Sequence, residues 1–416
     1  MLGEENLSIL VMKFGGTSVA DLNKMRNVAV KVQAEVKKGN NVIIVVSAMA
    51  GITDELINKI TEISSLYDAR EYDSIVSSGE NVSAGLLALI LQKIGINARS
   101  WQGWQIPVLT TDDHSNSRIN NINIQNLNKK FCNGMQVAVI AGFQGISNDL
   151  RITTLGRGGS DTTAVALAAA FEAKRCDIYT DVDGVFTTDP KITPNAQKLE
   201  KISYEEMLEL ASLGAKVLHT RSVELAMNYK VTLRVLNSFT EGSGTLVCDE
   251  ESIMEKRIVS GITFSKDEAK LTLIGIKDKP GIAGLIFDCL SRENINVDMI
   301  IQNISEDGLT DVTFSCPTAQ VEIAREALKQ GKSSSHFNYS KLVEDKQVAK
   351  LSIVGVGMRS HSGVAQTMFE TLGQENINIK VISTSEIKIS VLIDRKYLEL
   401  AVQALHEAFE LEKAPN

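Results

Sequence analysis

The apolar positions of the first ~245 residues fall in short blocks separated by longer amphipathic stretches. Buried strands are predicted for the short blocks, which are rich in β-branched residues and end in glycine or polar residues: 8–14, 41–47, 136–143, 176–180 and 231–235. Helices are predicted where apolar residues recur at helical spacing: 21–38, 53–66, 79–94, 161–173 and 204–213. This alternation predicts an α/β fold with a mainly parallel sheet.

The C-terminal part contains an internal repeat. The segment D-K-P-G-I-A from Asp278 matches S-H-S-G-V-A from Ser360, and E-N-I-N-V from Glu293 matches E-N-I-N-I from Glu375. Both matches are displaced by 82 positions. Two matches in one register are not expected by chance, so the chain carries two copies of one structural unit.

Each copy reads strand, glycine-opened helix, strand, strand, helix, which is typical of a ferredoxin-like βαββαβ module. The second copy runs out of residues before its last strand, whereas a spare strand, 259–264, precedes the first copy. We expect this strand to complete the second module, so that the two modules are intertwined. The predicted boundaries are 1–248 for the α/β domain, 258–345 for module 1 and 346–416 for module 2.

Composition and charge disfavour several classes of function. The net charge of −8, from 43 basic and 51 acidic residues, gives no general reason to bind nucleic acid or an acidic membrane. The five cysteines are scattered, the histidines form no metal-binding pattern, and no apolar run approaches the ~20 residues that span a bilayer. We therefore expect no metal site, no nucleic-acid or membrane partner and a cytoplasmic location.

The motif K-F-G-G-T-S at 13–18 follows a predicted strand and precedes a predicted helix. Glycines there let backbone N–H groups approach phosphate oxygens, and the helix N-terminus adds a positive dipole. Lys13 supplies a positive charge for the β- and γ-phosphates of a nucleotide. A tight turn with a surface lysine is the competing interpretation.

The segment T-L-G-R-G-G-S-D-T-T at 154–163 leads directly into an alanine-rich helix. Arg157 can bind a carboxylate with two parallel hydrogen bonds. Asp161 can hold a substrate ammonium group or simply cap the helix. Three glycines around one arginine weaken the fold unless something must approach closely.

Three further segments are ambiguous alone. T-D-V-D-G-V-F-T-T-D-P at 180–190 suits a nucleotide but also an ordinary turn. Ser47 and Thr53 lie between a strand and a helix, and Glu80 lies near the start of another helix, where each could be a plain cap.

In combination these segments resemble the amino-acid kinase superfamily, most closely the aspartate kinases, and the repeats resemble paired ACT domains. The resemblance implies an amino-acid kinase-type α/β sandwich followed by two ACT modules. It implies ATP-dependent phosphorylation of the aspartate side chain to 4-phospho-aspartate. That is the first step towards lysine, threonine, methionine and diaminopimelate, under feedback control by amino acids.

The resemblance also implies roles for individual residues. Lys13, Arg157 and Asp161 are the implied catalytic residues, with Lys13 neutralising the phosphoryl group and Arg157 binding the aspartate α-carboxylate. The implied aspartate site is Thr53, Glu80, Arg157, Gly158, Gly159, Ser160 and Asp161. The implied ATP site is Lys13, Phe14, Gly15, Gly16, Ser47, Thr180, Asp181, Asp183, Gly184, Val185, Asp189, Pro190 and Lys216.

The chemistry agrees with this set. A β-carboxylate, with a pKa of about 3.9, is already ionised at pH 7 and needs no general base. Phosphoryl transfer then requires alignment of two anions and neutralisation of their repulsion by cations. We expect ATP with Mg²⁺ as the substrate complex, and no tightly bound cofactor.

In the repeats, an effector amino acid needs an acid for its ammonium group and N–H donors for its carboxylate. Only the first copy offers both the acid and the N–H donors, because the second copy has Lys380 at the position of Asp298. The expected effector site for lysine, threonine or both is Asp278, Gly281, Ile282, Asn296, Val297, Asp298, Gln302, Asn378 and Ile379. Packing of one module against another chain's would give a homodimer or higher oligomer.

Alternative functions are a kinase for glutamate, acetylglutamate or a nucleotide, and a non-catalytic amino-acid sensor. The repeats and the R-G-G-S-D segment disfavour the first, and the presence of Lys13, Arg157 and Asp161 disfavours the second. Met254 could serve as an internal start for a regulatory product.

Overall fold

The computed structural model describes residues 8–213, 217–253, 257–304, 308–334 and 336–413. These residues form two compact units. The first contains the described residues up to 185, 198–212 and 217–253, and the second contains 186–197, 213 and the described residues from 257 onward. Met254 and Lys216 lie outside the described residues.

The first unit is built on an eight-stranded sheet with the order β10-β12-β11-β9-β1-β2-β6-β3. All neighbouring strands run parallel except β11 and β12. The strands are β1 (Ile9–Phe14), β2 (Asn41–Val46), β3 (Ala98–Trp101), β6 (Val137–Ala141), β9 (Cys176–Thr180), β10 (Lys201–Ser203), β11 (Leu233–Asn237) and β12 (Thr245–Cys248). The central strands β2 and β6 are almost entirely apolar and buried, as is typical of parallel strands that are covered on both faces.

The helices of this unit are α1 (Leu22–Lys37), α2 (Ile52–Ile63), α3 (Ala69–Val76), α4 (Ser78–Lys93), α5 (Gln125–Cys132), α6 (Gly159–Ala170), α7 (Tyr204–Ser212) and α8 (Thr220–Tyr229). Length and composition alone would let Ala69–Lys93 cross a membrane, but half of that window is buried, as expected for a core helix. The α/β class with a mainly parallel sheet is confirmed.

A second, four-stranded sheet was not predicted. Its order is β5-β4-β7-β8, from β4 (Val108–Thr110), β5 (Ile119–Ile122), β7 (Gln144–Ile146) and β8 (Ile152–Thr154). Strands of three or four residues are too short to show a two-residue alternation, which is why sequence patterns missed them. This sheet ends directly at the glycine cluster that begins with Gly156.

The second unit contains one six-stranded antiparallel sheet with the order β14-β15-β13-β16-β18-β17. The strands are β13 (Gly261–Lys277), β14 (Asp298–Ile304), β15 (Leu309–Cys316), β16 (Lys341–Val354), β17 (Ile379–Thr384) and β18 (Lys388–Asp394). The helices are α9 (Ile282–Arg292), α10 (Val321–Ser333), α11 (Val364–Gln374) and α12 (Leu398–Ala408).

The duplication is visible in backbone geometry. Gly281 and Gly363 precede α9 and α11 with φ of 88° and 95°, and Asn294 and Asn376 both have φ of 55°. These conformations favour glycine and asparagine, which explains why the two copies share those letters. Each copy also has its own apolar core.

The long strands β13 and β16 each belong to both halves of the sheet. The first part of β13, Gly261 to Ser265, pairs with Lys350 to Val354 of β16, whereas Ala269 to Lys277 pairs with β15. The spare strand of the sequence thus lies at the edge where the second copy lacks one.

One segment that precedes the predicted domain boundary at residue 248 belongs to the second unit rather than to the first. Residues 186–197 belong to the second unit, where Ile262 N–H donates to Thr187 O at 2.7 Å and Gln403 Nε2 donates to Ile192 O at 2.9 Å. His406 Nε2 lies 2.9 Å from Thr187 Oγ1. A turn-rich segment carries no periodic pattern, so its long-range contacts could not be predicted.

Candidate active site

The predicted motifs meet at one edge of the eight-stranded sheet. The parallel neighbours β9, β1, β2 and β6 end at Thr180, Phe14, Val46 and Ala141. The segments at these carboxyl ends contain the predicted nucleotide-binding turn at 180–190, here called the nucleotide-type turn, the K-F-G-G-T-S motif and Ser47. The chain after β6 leads through β7 and β8 to residues 155–159 around Arg157, here called the arginine loop. In open α/β sheets this edge is where ligands bind.

Lys13 lies at this edge as the fifth residue of β1, between β2 and β9. Its Nζ is 2.6 Å from Asp161 Oδ1 in the first turn of α6, and the two side chains are 12% and 13% exposed. The helix begins after Gly158 without a side-chain cap, so capping does not account for Asp161. A Cβ on Gly15 would lie 3.5 Å from Lys13 Nζ, so glycine keeps the space beside the ammonium open.

Two glycines bring three elements together at Ala48. A Cβ on Gly16 would lie 2.8 Å from Ala48 O, and one on Gly79 would lie 2.7 Å from Ala48 Cβ. Real Cβ atoms do not approach that closely, so both positions require glycine. The loops after β1 and β2 and the start of α4 are therefore packed backbone to backbone.

Glu80 enters the site from α4. Its Oε1 accepts from Ala48 N–H at 3.0 Å, so it binds a neighbouring loop rather than only its own helix. Its Oε2 is buried with no hydrogen-bond partner among the described residues. Burial raises the pKa of Glu80 to about 7, despite the opposing hydrogen bond from Ala48. A buried acid with one free oxygen is suited to receive a ligand's ammonium group.

Arg157 lies between two glycines in left-handed conformations, Gly156 with φ of 74° and Gly158 with φ of 70°. A Cβ on Gly158 would lie 2.3 Å from His219 Cγ, and one on Gly159 would lie 2.8 Å from Phe143 Cδ2. The glycines are thus required both by conformation and by packing. The Arg157 side chain is exposed, which leaves its guanidinium accessible to a carboxylate.

Other expected aspartate-site residues lie on the same elements. Gly159 and Ser160 begin α6, and a Cβ on Gly142 would lie 2.9 Å from Ser160 Cβ. Thr53 lies partly exposed in the first turn of α2. Ser47 follows β2, and its N–H donates to Phe14 O at 3.1 Å.

The nucleotide-type turn follows β9, next to β1. Asp183 accepts hydrogen bonds from Thr240 Oγ1 at 2.8 Å and Asn237 Nδ2 at 2.7 Å, which hold its pKa below the ordinary value. Asp181 is exposed, whereas Gly184 and Val185 are buried. Val185 N–H donates to Thr245 Oγ1, so part of this set is structural.

Two other expected ATP residues lie at the end of that turn in the sequence. Asp189 and Pro190 belong to the second unit, where Asp189 Oδ1 accepts from Lys191 N–H at 2.9 Å. Within the described residues, no group of three His, Cys, Asp or Glu could hold a metal ion.

Sequence patterns missed the residues that support the arginine loop. Asp73 accepts from Thr154, and Arg221 donates to Leu155 O, so both contact residues just before Arg157. His114 contacts Asp73, and His219 packs against Gly158. None lies in a glycine motif or next to Arg157 in the sequence, so no local signal marks them. A histidine in the polar turn D-D-H-S-N-S was the nearest hint.

Asp298, one of the expected effector residues, forms an ion pair within the second unit. Its Oδ2 lies 2.7 Å from Lys350 Nζ, which also lies 3.1 Å from Glu268 Oε1. Burial alone would raise the pKa of Asp298, but Lys350 holds it below the ordinary value. The Asp298 carboxylate is therefore already neutralised by the chain itself, because the strands of both copies share one sheet. An effector ammonium would have to compete with Lys350.

The remaining effector residues are mostly accessible. Asp278, Gly281, Asn296, Gln302 and Asn378 are exposed. Ile282 is buried in the core of module 1, and Val297 and Ile379 pack against the two cores. Lys380, which stands in the second copy where the first copy has Asp298, is paired with Asp345 at 2.6 Å and with Asp394 at 2.5 Å.

Comparison with known proteins adds the family context. The model of the amino acid kinase family matches residues 8–237, and that of the ACT domain matches 271–331 and 351–409. An aspartate kinase of Pseudomonas putida is 51% identical over 407 residues, which are 98% of each chain. The structure of E. coli aspartokinase III with aspartate and ADP has a TM-score of 0.79 and 26% identity, covering 96% of this chain and 99% of that one. The same enzyme with lysine and aspartate has a TM-score of 0.75 and 27% identity, covering 97% and 99%.

Proposed function

This chain belongs to the amino acid kinase family, and within it to the aspartate kinases, and from that premise we propose how its own residues perform the reaction. The reaction transfers the γ-phosphoryl group of ATP to the side-chain carboxylate of L-aspartate. The observation that carries the assignment of roles is the meeting of Lys13, Asp161 and Glu80 at the carboxyl edge of one sheet.

The aspartate is held at both of its charged ends. Arg157 binds the α-carboxylate through two hydrogen bonds, and the free oxygen of Glu80 accepts from the ammonium group. Thr53, Ser160 and the amides at the start of α6 complete the site. This arrangement leaves the β-carboxylate directed towards the phosphate end of the site.

The transfer step needs no general base. An oxygen of the ionised β-carboxylate attacks the γ-phosphorus while the bond from that phosphorus to the β,γ-bridging oxygen breaks, and ADP leaves. Lys13 neutralises the charge on the transferring group, and Asp161 fixes the position of Lys13. Mg²⁺ arrives with ATP as part of the substrate complex.

The ATP phosphates lie against the glycine turn at Gly15 and Gly16, with Ser47 beside them. The turn after β9, with Thr180, Asp181 and Asp183, receives the nucleoside. The close packing of Gly16 on Ala48 supports this placement, because it brings the glycine turn and the loop after β2 together at the same edge.

The second unit senses an end product. Lysine, threonine or both bind the first repeat, with the α-carboxylate on the amides after Gly281 and the ammonium on Asp278. ACT modules of two chains pack together in a homodimer or higher oligomer. The enzyme works in the cytoplasm, where lysine, threonine and diaminopimelate synthesis begins.

The test is an ATP- and Mg²⁺-dependent hydroxamate assay with aspartate, glutamate and acetylglutamate. Hydroxylamine traps the acyl phosphate, so the assay reports the carboxylate that is phosphorylated. We expect turnover with aspartate at least ~100-fold above the other two, because a site that binds both charged ends rejects acids of different length. Equal turnover of glutamate or acetylglutamate would overturn the assignment.

A further inference from the structure

A fully buried carboxylate of the first unit with partners on several elements lies outside the substrate set. Asp73 on α3 is fully buried. It accepts from Ser115 N–H at 3.0 and 3.1 Å and from Thr154 Oγ1 at 2.5 Å. His114 Nδ1 lies 2.7 Å from its Oδ2. One side chain thus connects a helix, a turn and the end of strand β8.

Its partners lead directly to the arginine loop. Thr154 is the last residue of β8, three positions before Arg157. Thr154 O accepts from Ser117 N–H at 2.9 Å, which ties the 114–117 turn to the same strand. A Cβ on Gly156 would lie 2.8 Å from Asn116 Oδ1, so this turn also bounds the loop itself.

A cation reinforces the same contact. Arg221 on α8 donates through Nη1 to Leu155 O and through Nη2 to Ser117 O, both at 2.7 Å. The guanidinium therefore bridges the arginine loop and the turn that Asp73 holds. Asp73 and Arg221 therefore both bind the same two segments, residues 114–117 and residues 154–155.

Asp73 also lies close in sequence to the other end of the aspartate site. Helix α3 ends at Val76, and α4 begins at Ser78 and carries Glu80 in its first turn. Gln144 Nε2 donates to Ser77 O at 3.1 Å and to Asn81 Oδ1 at 3.0 Å, which fixes this junction to β7. Asp73 thus lies on the helix just before the one that carries Glu80, and it also bonds to the strand that leads to Arg157.

We propose that Asp73 is a positioning residue for aspartate, which sets the spacing between the Arg157 loop and Glu80 through Thr154 and the His114–Ser115 turn. The inference rests on the proposed roles of Arg157 and Glu80. Asp73 does not touch the substrate. It acts because misplacement of a binding group by about 1 Å can reduce the rate about 100-fold.

The first test replaces Asp73 by Asn, which keeps the shape but presents an N–H group to one of the donors. We expect aspartate kcat/KM to fall about 100-fold, mainly through KM, while the KM for ATP changes less than about twofold. The matched control is Glu206→Gln. Glu206 is also a buried carboxylate of the first unit, and it accepts from the N–H and hydroxyl of Ser203 at 3.1 Å each.

The second test removes the hydrogen bond between Thr154 and Asp73 from the other side. It also tests the inference if the Asp73→Asn variant does not fold. Thr154→Val keeps the shape of the side chain and removes the hydroxyl, whereas Thr154→Ser keeps the hydroxyl. We expect Thr154→Val to raise the KM for aspartate about tenfold and Thr154→Ser to leave it near wild type. All assays are made well below each variant's Tm, so that loss of stability does not enter the constants.

The outcomes separate this inference from the proposed function. Arg157→Ala tests the aspartate site directly, and an unchanged KM for aspartate there would overturn the site itself. If Arg157→Ala raises that KM but Asp73→Asn and Thr154→Val lower only Tm, as Glu206→Gln is expected to, then Asp73 is merely structural and the inference is wrong. Selective loss of aspartate affinity in both variants, with rescue by Thr154→Ser, supports it.

Discussion

Two lysines that are mostly shielded from solvent, one in each unit, have different surroundings. Lys13 has one carboxylate partner, Asp161, and open space beside Gly15 at the edge of a sheet. Lys350 lies between two carboxylates, Glu268 and Asp298, in the interior of a sheet and is 7% exposed. The carboxylates raise the pKa of Lys350 above the ordinary value even though burial opposes this. The first lysine can still act on an added anion, whereas the charge of the second is fully used within the protein.

The difference reflects how each unit is built. In the catalytic unit, charged residues follow different strands and meet only because parallel strands end at one edge. In the regulatory unit, the charges lie at repeat-equivalent positions, Glu268 with Lys350 and Asp298 with Lys380, where the two copies have opposite signs. The duplicated strands share one sheet, so Lys350 of one copy pairs with both acids of the other. In the proposed function, these charges therefore serve ligand binding in the first unit, whereas in the second unit they pair one copy with the other.

The largest expected effect tests the catalytic side of this comparison. Lys13→Met removes the cation that faces the phosphoryl group, so kcat should fall about 1,000-fold with a smaller change in the KM for ATP. The measurement is ADP release with saturating aspartate. Lys59→Met is the control, since Lys59 pairs with Glu55 on the exposed face of α2. A variant at Lys13 with wild-type kcat would show that its charge, like that of Lys350, serves only structure.

Lys350→Met tests the regulatory side. It leaves Glu268 and Asp298 close together without their shared cation, which should lower the free energy of unfolding by about 3 kcal/mol. Urea unfolding of the full chain gives this value. Lys346→Met is the control, because the exposed Lys346–Glu322 pair should contribute under about 1 kcal/mol. Equal values for the two variants would mean that Lys350 does not hold the copies together.

The pKa of Glu80, raised to about 7 by burial, predicts a pH dependence in the catalytic unit alone. The ammonium group of aspartate needs the ionised carboxylate, and below pH 7 the empty site holds a proton instead. The KM for aspartate should therefore rise about tenfold per pH unit as the pH falls below 7 and level off above it. Glu80→Gln should have a high KM without this slope. A wild-type KM that stays flat between pH 6 and 8 would contradict the role of Glu80.

Sequence patterns predicted the parts of this comparison that have a local signal. Short-range apolar periodicity predicted the strands β1, β2 and β6. The glycine turns were predicted from the conformational freedom of glycine, and the repeat from two sequence matches that are each displaced by 82 positions. No local sequence signal marks the contacts of Asp73 with the residues before the arginine loop, or the pairing of Asp298 with Lys350. Both depend on which distant elements meet, and a charged residue in a strand looks the same whether its partner is a ligand or another strand.

The pairing of Asp298 makes Asp278 the stronger candidate for the effector's ammonium group, and this gives the smallest predicted effect. Asp278 is exposed beside the start of α9, and no ion pair is seen for it among the described residues. Gln302 is exposed on the neighbouring part of the module, on β14.

An exposed contact contributes modestly, so Asp278→Ala and Gln302→Ala should each raise the lysine or threonine concentration for half-inhibition about 5- to 10-fold. Activity without effector should stay near wild type, because an effector shifts the enzyme only by its differential affinity for the two states. Asp288→Ala is the control, since Asp288 is an exposed acid of the same module that pairs with Arg292 at 2.7 Å. If both variants keep wild-type inhibition by lysine and by threonine, the effector binds elsewhere, and the first repeat, like Lys350 of the second repeat, serves cohesion alone.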